Sequence, residues 1–161
     1  MAGTYRVLFV CTGNTCRSVM AAQVLRRELA DAGLTADVAS AGLRVRAEGQ
    51  PADPRAQEVL RQHGYGFEHQ TRQFDPAMLA GYDLVIGLDS MHEWVLRHAA
   101  ADPESASRIR LFGSFGDGSG AGWDVPDPVT GGLADYERVL ALVRSAMPGV
   151  VAVVRAGLAS G

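Results

Sequence analysis

The sequence predicts a single three-layer α/β domain, in which helices flank a four-stranded parallel sheet. Strand-like runs alternate with helical patterns along the chain, which is typical of parallel sheets covered on both faces. The 161 residues are enough for one domain with a proper core and too few for two ordinary ones. We find no internal repeat and no second domain, so residues 1–161 are expected to form one unit.

The first half of the chain opens with a strand, a helix and a second strand. Residues 4–10 are predicted to form the first strand. Helical periodicity follows over residues 19–32 and stops at Gly33, a residue well suited to the position just past a helix end. A short second strand is expected over residues 37–41, ending at Gly42.

The second helix and the remaining strands carry recognisable boundary signals. Asp53-Pro54 supplies an N-cap and a first helical residue, for a helix that closes near residue 64. The third and fourth strands are predicted over residues 82–88 and 108–112. Between them, Asp89 or Ser90 is expected to cap another helix.

A long loop and a final helix complete the chain. Residues 113–132 are rich in Gly, Asp and Pro, and a loop of that length in a compact domain is usually functional or disordered. Its Asp-Val-Pro-Asp-Pro core holds two prolines that restrict the backbone, which favours a held, functional loop. The last helix begins at Leu133 and is predicted to break at Pro148-Gly149.

The segment Cys11-Thr12-Gly13-Asn14-Thr15-Cys16-Arg17-Ser18 follows the first strand directly. A loop between a strand and a helix aims several backbone N–H groups at one point, where an anion can bind. Arg17 can return its planar fork to that point and clamp phosphate oxygens in a bidentate way. These groups favour the thiolate of Cys11, and Ser18 can donate a hydrogen bond to the sulfur.

A free cysteine taken alone is more often a small core residue than a nucleophile. Here the Cys, five residues that include a Gly, and then Arg-Ser all lie at a strand-to-helix junction. This spacing favours the functional interpretation, in which Cys11 is a nucleophile in a phosphate-binding loop.

Together with four later motifs, this segment resembles the low-molecular-weight protein tyrosine phosphatase family. Those motifs follow in the family's order: Ser40-Ala41-Gly42, residues 51–56 (PADPRA), His69-Gln70-Thr71-Arg72 and Asp127-Pro128. The resemblance implies a flavodoxin-like doubly wound strand order and a cysteinyl-phosphate intermediate. It also implies a strained left-handed Asn14, held by hydrogen bonds from Ser18, Ser40 and His69.

A phosphocysteine mechanism needs a proton donor for the departing oxygen, on a loop apart from the cysteine. Asp127 is our candidate, because its proline neighbours hold it and it aligns with the Asp-Pro acid of the family. Asp124 is the nearest rival. Asp117 is less suitable, since its glycine neighbours would hold it poorly. Cys16 either captures an oxidised Cys11 as a disulfide or only packs the loop.

The composition limits which partners and which cellular compartment are expected. A formal charge of −3 gives no bulk attraction to nucleic acid or an anionic membrane, and no apolar run in the sequence is judged long enough to span a bilayer. Two cysteines in one loop suit a reducing compartment, so a cytoplasmic protein is expected. The histidines lack zinc-ligand spacing. We expect no metal or cofactor, a phosphorylated protein as partner, and a monomer or weak homodimer.

Four substitutions relative to the family pattern bear on the choice of substrate. Arg46 and Val129-Thr130 stand where relatives often place aromatic walls, Val19 replaces a common proline, and Thr15 resembles the threonine of protein-arginine phosphatases. Phosphotyrosine is therefore the first expected substrate and phosphoarginine the second. A thiol-dependent arsenate reductase would need further redox cysteines, and a phosphocarrier or inactive binding module would have no use for Asp127.

Overall fold

The computed structural model describes residues 4–116 and 121–161, and it has one parallel sheet at its centre. The strands are β1 (Arg6–Cys11), β2 (Asp37–Gly42), β3 (Leu84–Gly87) and β4 (Ile109–Leu111), in the order β2-β1-β3-β4. Every neighbouring pair is parallel. The predicted fold class and strand order are thus confirmed.

Five α-helices connect and cover the strands: α1 (Arg17–Asp31), α2 (Pro54–Gln62), α3 (Ser90–Ala99), α4 (Pro103–Ser107) and α5 (Leu133–Ser160). The Asp53 side chain caps α2 by accepting from the Arg55 N–H, as its position predicts. Asp89, rather than Ser90, is the N-cap of α3. The short helix α4 and two 3-10 turns, Pro76–Gly81 and Phe112–Phe115, were not predicted, because such short pieces show no periodicity.

Alternate residues of β1 supply two separate cores. Val7, Phe9 and Cys11 belong to the larger core, which α1, α2 and α5 cover. Leu8 and Val10 belong to the smaller one on the opposite face. Burial on both faces explains why the strand reads as a continuous apolar run, and the alternation carries Cys11 to the end of the strand on the α1 side.

The predicted break in the last helix is wrong, because α5 runs unbroken through Pro148. Met147 and Val150, on either side of the proline, are wholly buried. Gly149 also packs closely on the Phe112–Phe115 turn, where an added Cβ would lie 2.6 Å from the Phe115 carbonyl oxygen. This packing outweighs the local preference of Pro-Gly to end a helix.

Helix α5 also bears on the expectation that no apolar run of the chain is long enough to span a bilayer. By length and composition alone, Leu133–Ser160 could cross a membrane, because the unbroken helix joins two apolar stretches that the sequence analysis separated at Pro148. Nine of its residues are buried within the protein. That is the pattern of a core helix, and length and composition are weak evidence for a membrane span.

Candidate active site

The carboxyl ends of the parallel strands bring the predicted site residues to one edge of the sheet. Cys11 pairs with Gly42 across β1 and β2, and the chain leaves β1 between β2 and β3, where the strand order reverses. Gly42 must lack a side chain, since an added Cβ would lie 2.7 Å from the Thr12 carbonyl oxygen.

A cavity of about 410 Å³ opens over the loop that joins β1 to α1. Its walls come from four segments of the chain: Cys11, Thr12, Gly13, Thr15, Cys16 and Arg17; Arg44, Val45, Arg46, Ala47 and Gln50; Thr71; and Asp127 with Val129. The cavity therefore joins the Cys11 loop to the Asp127 loop, as expected for a nucleophile and an acid that act on one substrate.

Cys11 is buried at the floor of the site, with its Sγ 2.9 Å from Ser18 Oγ. The Ser18 oxygen accepts from Asn14 Nδ2 at 2.9 Å, which leaves the hydroxyl proton of Ser18 free to point at the sulfur. The sulfur also lies near the start of α1, where the helix dipole favours negative charge. These contacts suit a cysteine that reacts as its thiolate.

Asn14 holds the shape of the loop. It has φ 58° and is the only non-glycine residue with positive φ in the described part of the chain, which is the left-handed conformation expected of it. Its Nδ2 donates to Ser18 and, at 3.0 Å, to Ser40. Its Oδ1 accepts from the backbone N–H of Arg72 at 2.9 Å, a partner that the sequence did not reveal.

His69 supports the same residue from the other side. Its Nε2 lies 2.7 Å from the Asn14 carbonyl oxygen, and because a carbonyl only accepts, Nε2 must carry a proton. Burial lowers the pKa of His69, so the ring is neutral at neutral pH. His69 thus donates one hydrogen bond to the loop without bringing a charge to it.

Arg17 is 4% exposed and is held by two partners. Its Nη1 donates to Asp89 Oδ2 and to the Val125 carbonyl, each at 2.9 Å. Burial alone would raise the pKa of Asp89, but the hydrogen bond from the His92 backbone N–H and the hydrogen bond and charge of Arg17 outweigh it, so the net effect is a lowered pKa. Asp89 is therefore a carboxylate at neutral pH and fixes the direction of the Arg17 fork.

Two of the candidate acids, Asp127 and Asp124, lie within the described residues, and their surroundings differ. Asp127 lines the cavity, its side chain is 48% exposed, and Oδ2 lies 3.7 Å from Arg17 Nη2. Asp124 instead accepts from the backbone and hydroxyl of Ser90 at 2.9 and 3.0 Å, so both of its oxygens are occupied at the start of α3. The geometry favours Asp127. Asp117 lies outside the described residues.

Cys16 faces a core side chain as well as the cavity. Its Sγ lies 3.3 Å from the Tyr136 hydroxyl and 3.5 Å from Thr15 Oγ1. Burial raises the pKa of the Cys16 thiol. Both cysteines are free thiols in the structure, and Tyr136 has no sequence signal that would have linked it to the loop.

His92 is a second residue that the sequence did not reveal. It is wholly buried at the start of α3, with Nε2 2.9 Å from Thr12 Oγ1 and Nδ1 accepting from the Asp89 N–H at 3.1 Å. Burial lowers the pKa of His92 to about 4, so the ring is neutral and donates from Nε2 to Thr12. A histidine in the first turn of a helix gives no hint of such a contact.

Comparisons with known proteins agree with this geometry. A family model described as low molecular weight phosphotyrosine protein phosphatase matches residues 6–159. A low molecular weight protein-tyrosine-phosphatase of Streptomyces coelicolor is 44% identical over 155 residues, covering 94% of each chain.

Solved structures show the same similarity. A protein tyrosine phosphatase from Entamoeba histolytica, with Hepes in its active site, superimposes with a TM-score of 0.88 at 26% identity, covering 96% of this chain and 99% of its own. The YwlE arginine phosphatase from Geobacillus stearothermophilus gives a TM-score of 0.82 at 29% identity, covering 94% of each chain.

Proposed function

Because the chain belongs to the low molecular weight phosphotyrosine protein phosphatase family, we propose that it hydrolyses protein phosphotyrosine through a phosphocysteine on Cys11. The observation that carries this proposal is the convergence of Cys11, Arg17 and Asp127 on one cavity. The cysteine and the arginine are buried and held, whereas the acid lies on a separate loop.

In the first step, the Cys11 thiolate attacks phosphorus, an S–P bond forms and the P–O bond to the tyrosine breaks. Backbone N–H groups of residues 12–17 and the Arg17 fork stabilise the charge on the phosphoryl oxygens. Asp127, in its protonated form, gives its proton to the departing phenolate. The products of this step are the dephosphorylated tyrosine residue of the substrate protein and a cysteinyl-phosphate on Cys11.

In the second step, a water molecule attacks phosphorus while the Asp127 carboxylate accepts its proton. The S–P bond breaks, inorganic phosphate leaves, and the sulfur returns to its thiolate form. Ser18, 2.9 Å from the sulfur, stabilises the thiolate both as nucleophile in the first step and as leaving group in the second. No redox change occurs in either step.

The walls of the cavity bear on substrate choice. Thr15, Arg46 and Val129 line it, at positions where the resemblance would place larger apolar or aromatic groups. This loss weakens binding of a phenyl ring, since an aromatic pair is worth about 0.5–1.5 kcal/mol beyond burial. Protein-arginine phosphatase activity is the second candidate, favoured by Thr15 and by the likeness to an arginine phosphatase.

Charge at the rim favours phosphotyrosine. Arg44 and Arg46 are exposed and line the cavity, so they repel a cationic guanidinium and attract acidic residues beside the phosphorylated one. We therefore rank phosphotyrosine first. A thiol-dependent arsenate reductase ranks lower, because the chain has only two cysteines. We also place the enzyme in the cytoplasm, as a monomer or weak homodimer.

The test is steady-state turnover on matched peptides that carry phosphotyrosine, phosphoarginine or phosphoserine, with EDTA present, beside thiol-dependent reduction of arsenate. We expect hydrolysis of phosphotyrosine with the highest kcat/KM. Cys11→Ser should abolish it, because a serine hydroxyl has no comparable route to its anion. Substantial hydrolysis by Cys11→Ser would overturn the covalent mechanism, and a strong preference for phosphoarginine would reverse the ranking.

A further inference from the structure

Arg55, in the first turn of α2, makes an unusual set of contacts for a partly exposed arginine. Its Nε and Nη2 donate to the two oxygens of Asp53 at 3.0 and 2.8 Å. Its Nη1 donates to the Gly131 carbonyl at 2.7 Å. The guanidinium carbon also lies 4.7 Å from the centre of the Tyr136 ring, so the fork is fixed from three directions.

Arg55 is linked to the nucleophile loop, the Cys11–Ser18 segment, by contacts of Asp53 and Tyr136. The backbone N–H of Asp53 donates to the Thr15 carbonyl at 2.9 Å, and Thr15 lies inside the Cys11–Ser18 segment. Tyr136, beneath the Arg55 guanidinium, contacts the sulfur of Cys16 in the same loop. The position of Arg55 is therefore tied to the nucleophile loop through one backbone bond and one ring contact.

Arg55 is also linked to the loop that carries Asp127. Gly131 closes a turn in which its N–H donates to the Pro128 carbonyl at 2.9 Å, and Pro128 directly follows Asp127. The bond from Arg55 Nη1 to the Gly131 carbonyl therefore anchors the turn that presents Asp127. The carboxylate of Asp127 is 48% exposed and lies 3.7 Å from Arg17. Its Oδ1 accepts from the Val129 N–H of the same turn at 3.1 Å, so the position of the acid follows the position of this turn.

We propose that Arg55 is a positioning residue that fixes the Asp127 loop relative to the Cys11 loop, so that the acid meets the leaving oxygen. The proposal rests on the proposed function, in which Asp127 donates a proton. It gives a role to the Asp53-Pro54-Arg55 segment that the helix cap alone does not require, because the Asp53 side chain caps α2 through the backbone N–H of Arg55.

The expected signature of this role depends on the leaving group. A misplaced acid slows the departure of a basic leaving group and hardly affects one that leaves without a proton. With Arg55→Gln, kcat/KM should fall about 10- to 100-fold on phenyl phosphate, the effect expected of an acid displaced by about 1 Å. On 4-nitrophenyl phosphate the loss should stay within about threefold.

The experiment compares the ratio of kcat/KM for these two substrates among variants. A ratio measured on one protein sample is independent of the fraction that is folded, so partial unfolding of Arg55→Gln cannot mimic the result. Arg55→Lys, which keeps the charge but not the fork, should lie between wild type and Arg55→Gln. Arg61→Gln is the matched control, because Arg61 lies on the same helix and forks onto Glu58; it should leave the ratio unchanged.

Asp127→Asn separates failure of this inference from failure of the proposed function. We expect it to change the ratio at least as much as Arg55→Gln does, and the double variant to match Asp127→Asn, since two changes acting through one acid are not additive. If Asp127→Asn changes the ratio and Arg55→Gln does not, Arg55 has no positioning role. If Asp127→Asn leaves the ratio unchanged, the assignment of the acid is wrong.

Discussion

Replacing Asn14 with alanine should destabilise the whole domain, because this side chain is wholly buried and is hydrogen-bonded through both its nitrogen and its oxygen. It makes three hydrogen bonds, to Ser18, Ser40 and the Arg72 N–H. Each is worth about 1 kcal/mol, and more where a buried partner is left unpaired. Alanine at φ 58° adds roughly 1 kcal/mol of backbone strain. The expected loss of unfolding free energy is therefore about 4 kcal/mol.

That loss is a large share of the total, since domains are stable by only about 5–15 kcal/mol. Urea unfolding should show the midpoint fall with an unchanged slope. Thermal unfolding should show Tm fall by roughly 10 °C, at about 2–4 °C per kcal/mol for a chain of this size. Activity of Asn14→Ala should fall as well, because Ser18 would no longer be held with its proton toward Cys11.

Asn14→Gly is the control that separates strain from hydrogen bonding. Glycine adopts a positive φ without steric cost, though it also adds entropy to the unfolded chain. We therefore expect Asn14→Gly to remain about 3 kcal/mol less stable than wild type. If Asn14→Ala were destabilised by less than about 1 kcal/mol, the hydrogen bonds assigned to this side chain would not be holding the loop.

Three further outcomes are expected. Thr15→Ile should raise the ratio of phosphotyrosine to phosphoarginine kcat/KM, because an apolar branched side chain packs on a phenyl ring; an unchanged ratio would show that this position does not govern the choice. Peroxide inactivation should be recovered less fully by thiol in Cys16→Ser if a disulfide with Cys11 protects the enzyme, and equal recovery would reduce Cys16 to packing. Burial lowers the pKa of His92 to about 4, so between about pH 6.5 and pH 4 the unfolded chain takes up a proton that the folded chain does not, and the free energy of unfolding should fall as the pH drops through this range. In urea unfolding, His92→Gln should lessen this fall, and an equal fall in the variant would contradict the assignment.

The parts of the fold that the sequence predicted are those with a local signal. Strand β1, the Asp53-Pro54 start of α2 and the parallel sheet follow from an apolar run, from capping residues and from the βα alternation. The strand order, in contrast, was implied by the family resemblance. The same resemblance implied the left-handed conformation of Asn14, which asparagine tolerates better than most residues. For β1 and the start of α2, the local sequence is enough to predict the structure.

The rest depends on contacts between distant segments. His92 meets Thr12 across 80 positions and Tyr136 meets Cys16 across 120, and nothing beside either residue in the sequence indicates its partner. The continuity of α5 through Pro148 has the same origin, because burial of Met147 and Val150 outweighs the local break signal. The contacts of His92 and Tyr136 were therefore missed, whereas Ser40 and His69 lie against Asn14 as the family resemblance implied.

The contact between Cys16 and Tyr136 bears on the two interpretations of Cys16. To resolve an oxidised Cys11, Cys16 must attack as a thiolate, yet burial raises its pKa and its sulfur lies 3.3 Å from the Tyr136 hydroxyl. Burial keeps the thiol protonated, although the hydrogen bond from Tyr136 partly offsets this by lowering the pKa, and the same contact holds the sulfur toward the core in the reduced enzyme. The net raised pKa and this orientation both slow thiolate attack. Tyr136→Phe removes the hydroxyl that holds the sulfur toward the core and keeps the ring beneath Arg55. After peroxide treatment, thiol should therefore recover a larger fraction of the activity in this variant if the disulfide forms, and the same fraction as in wild type if Cys16 only packs the loop.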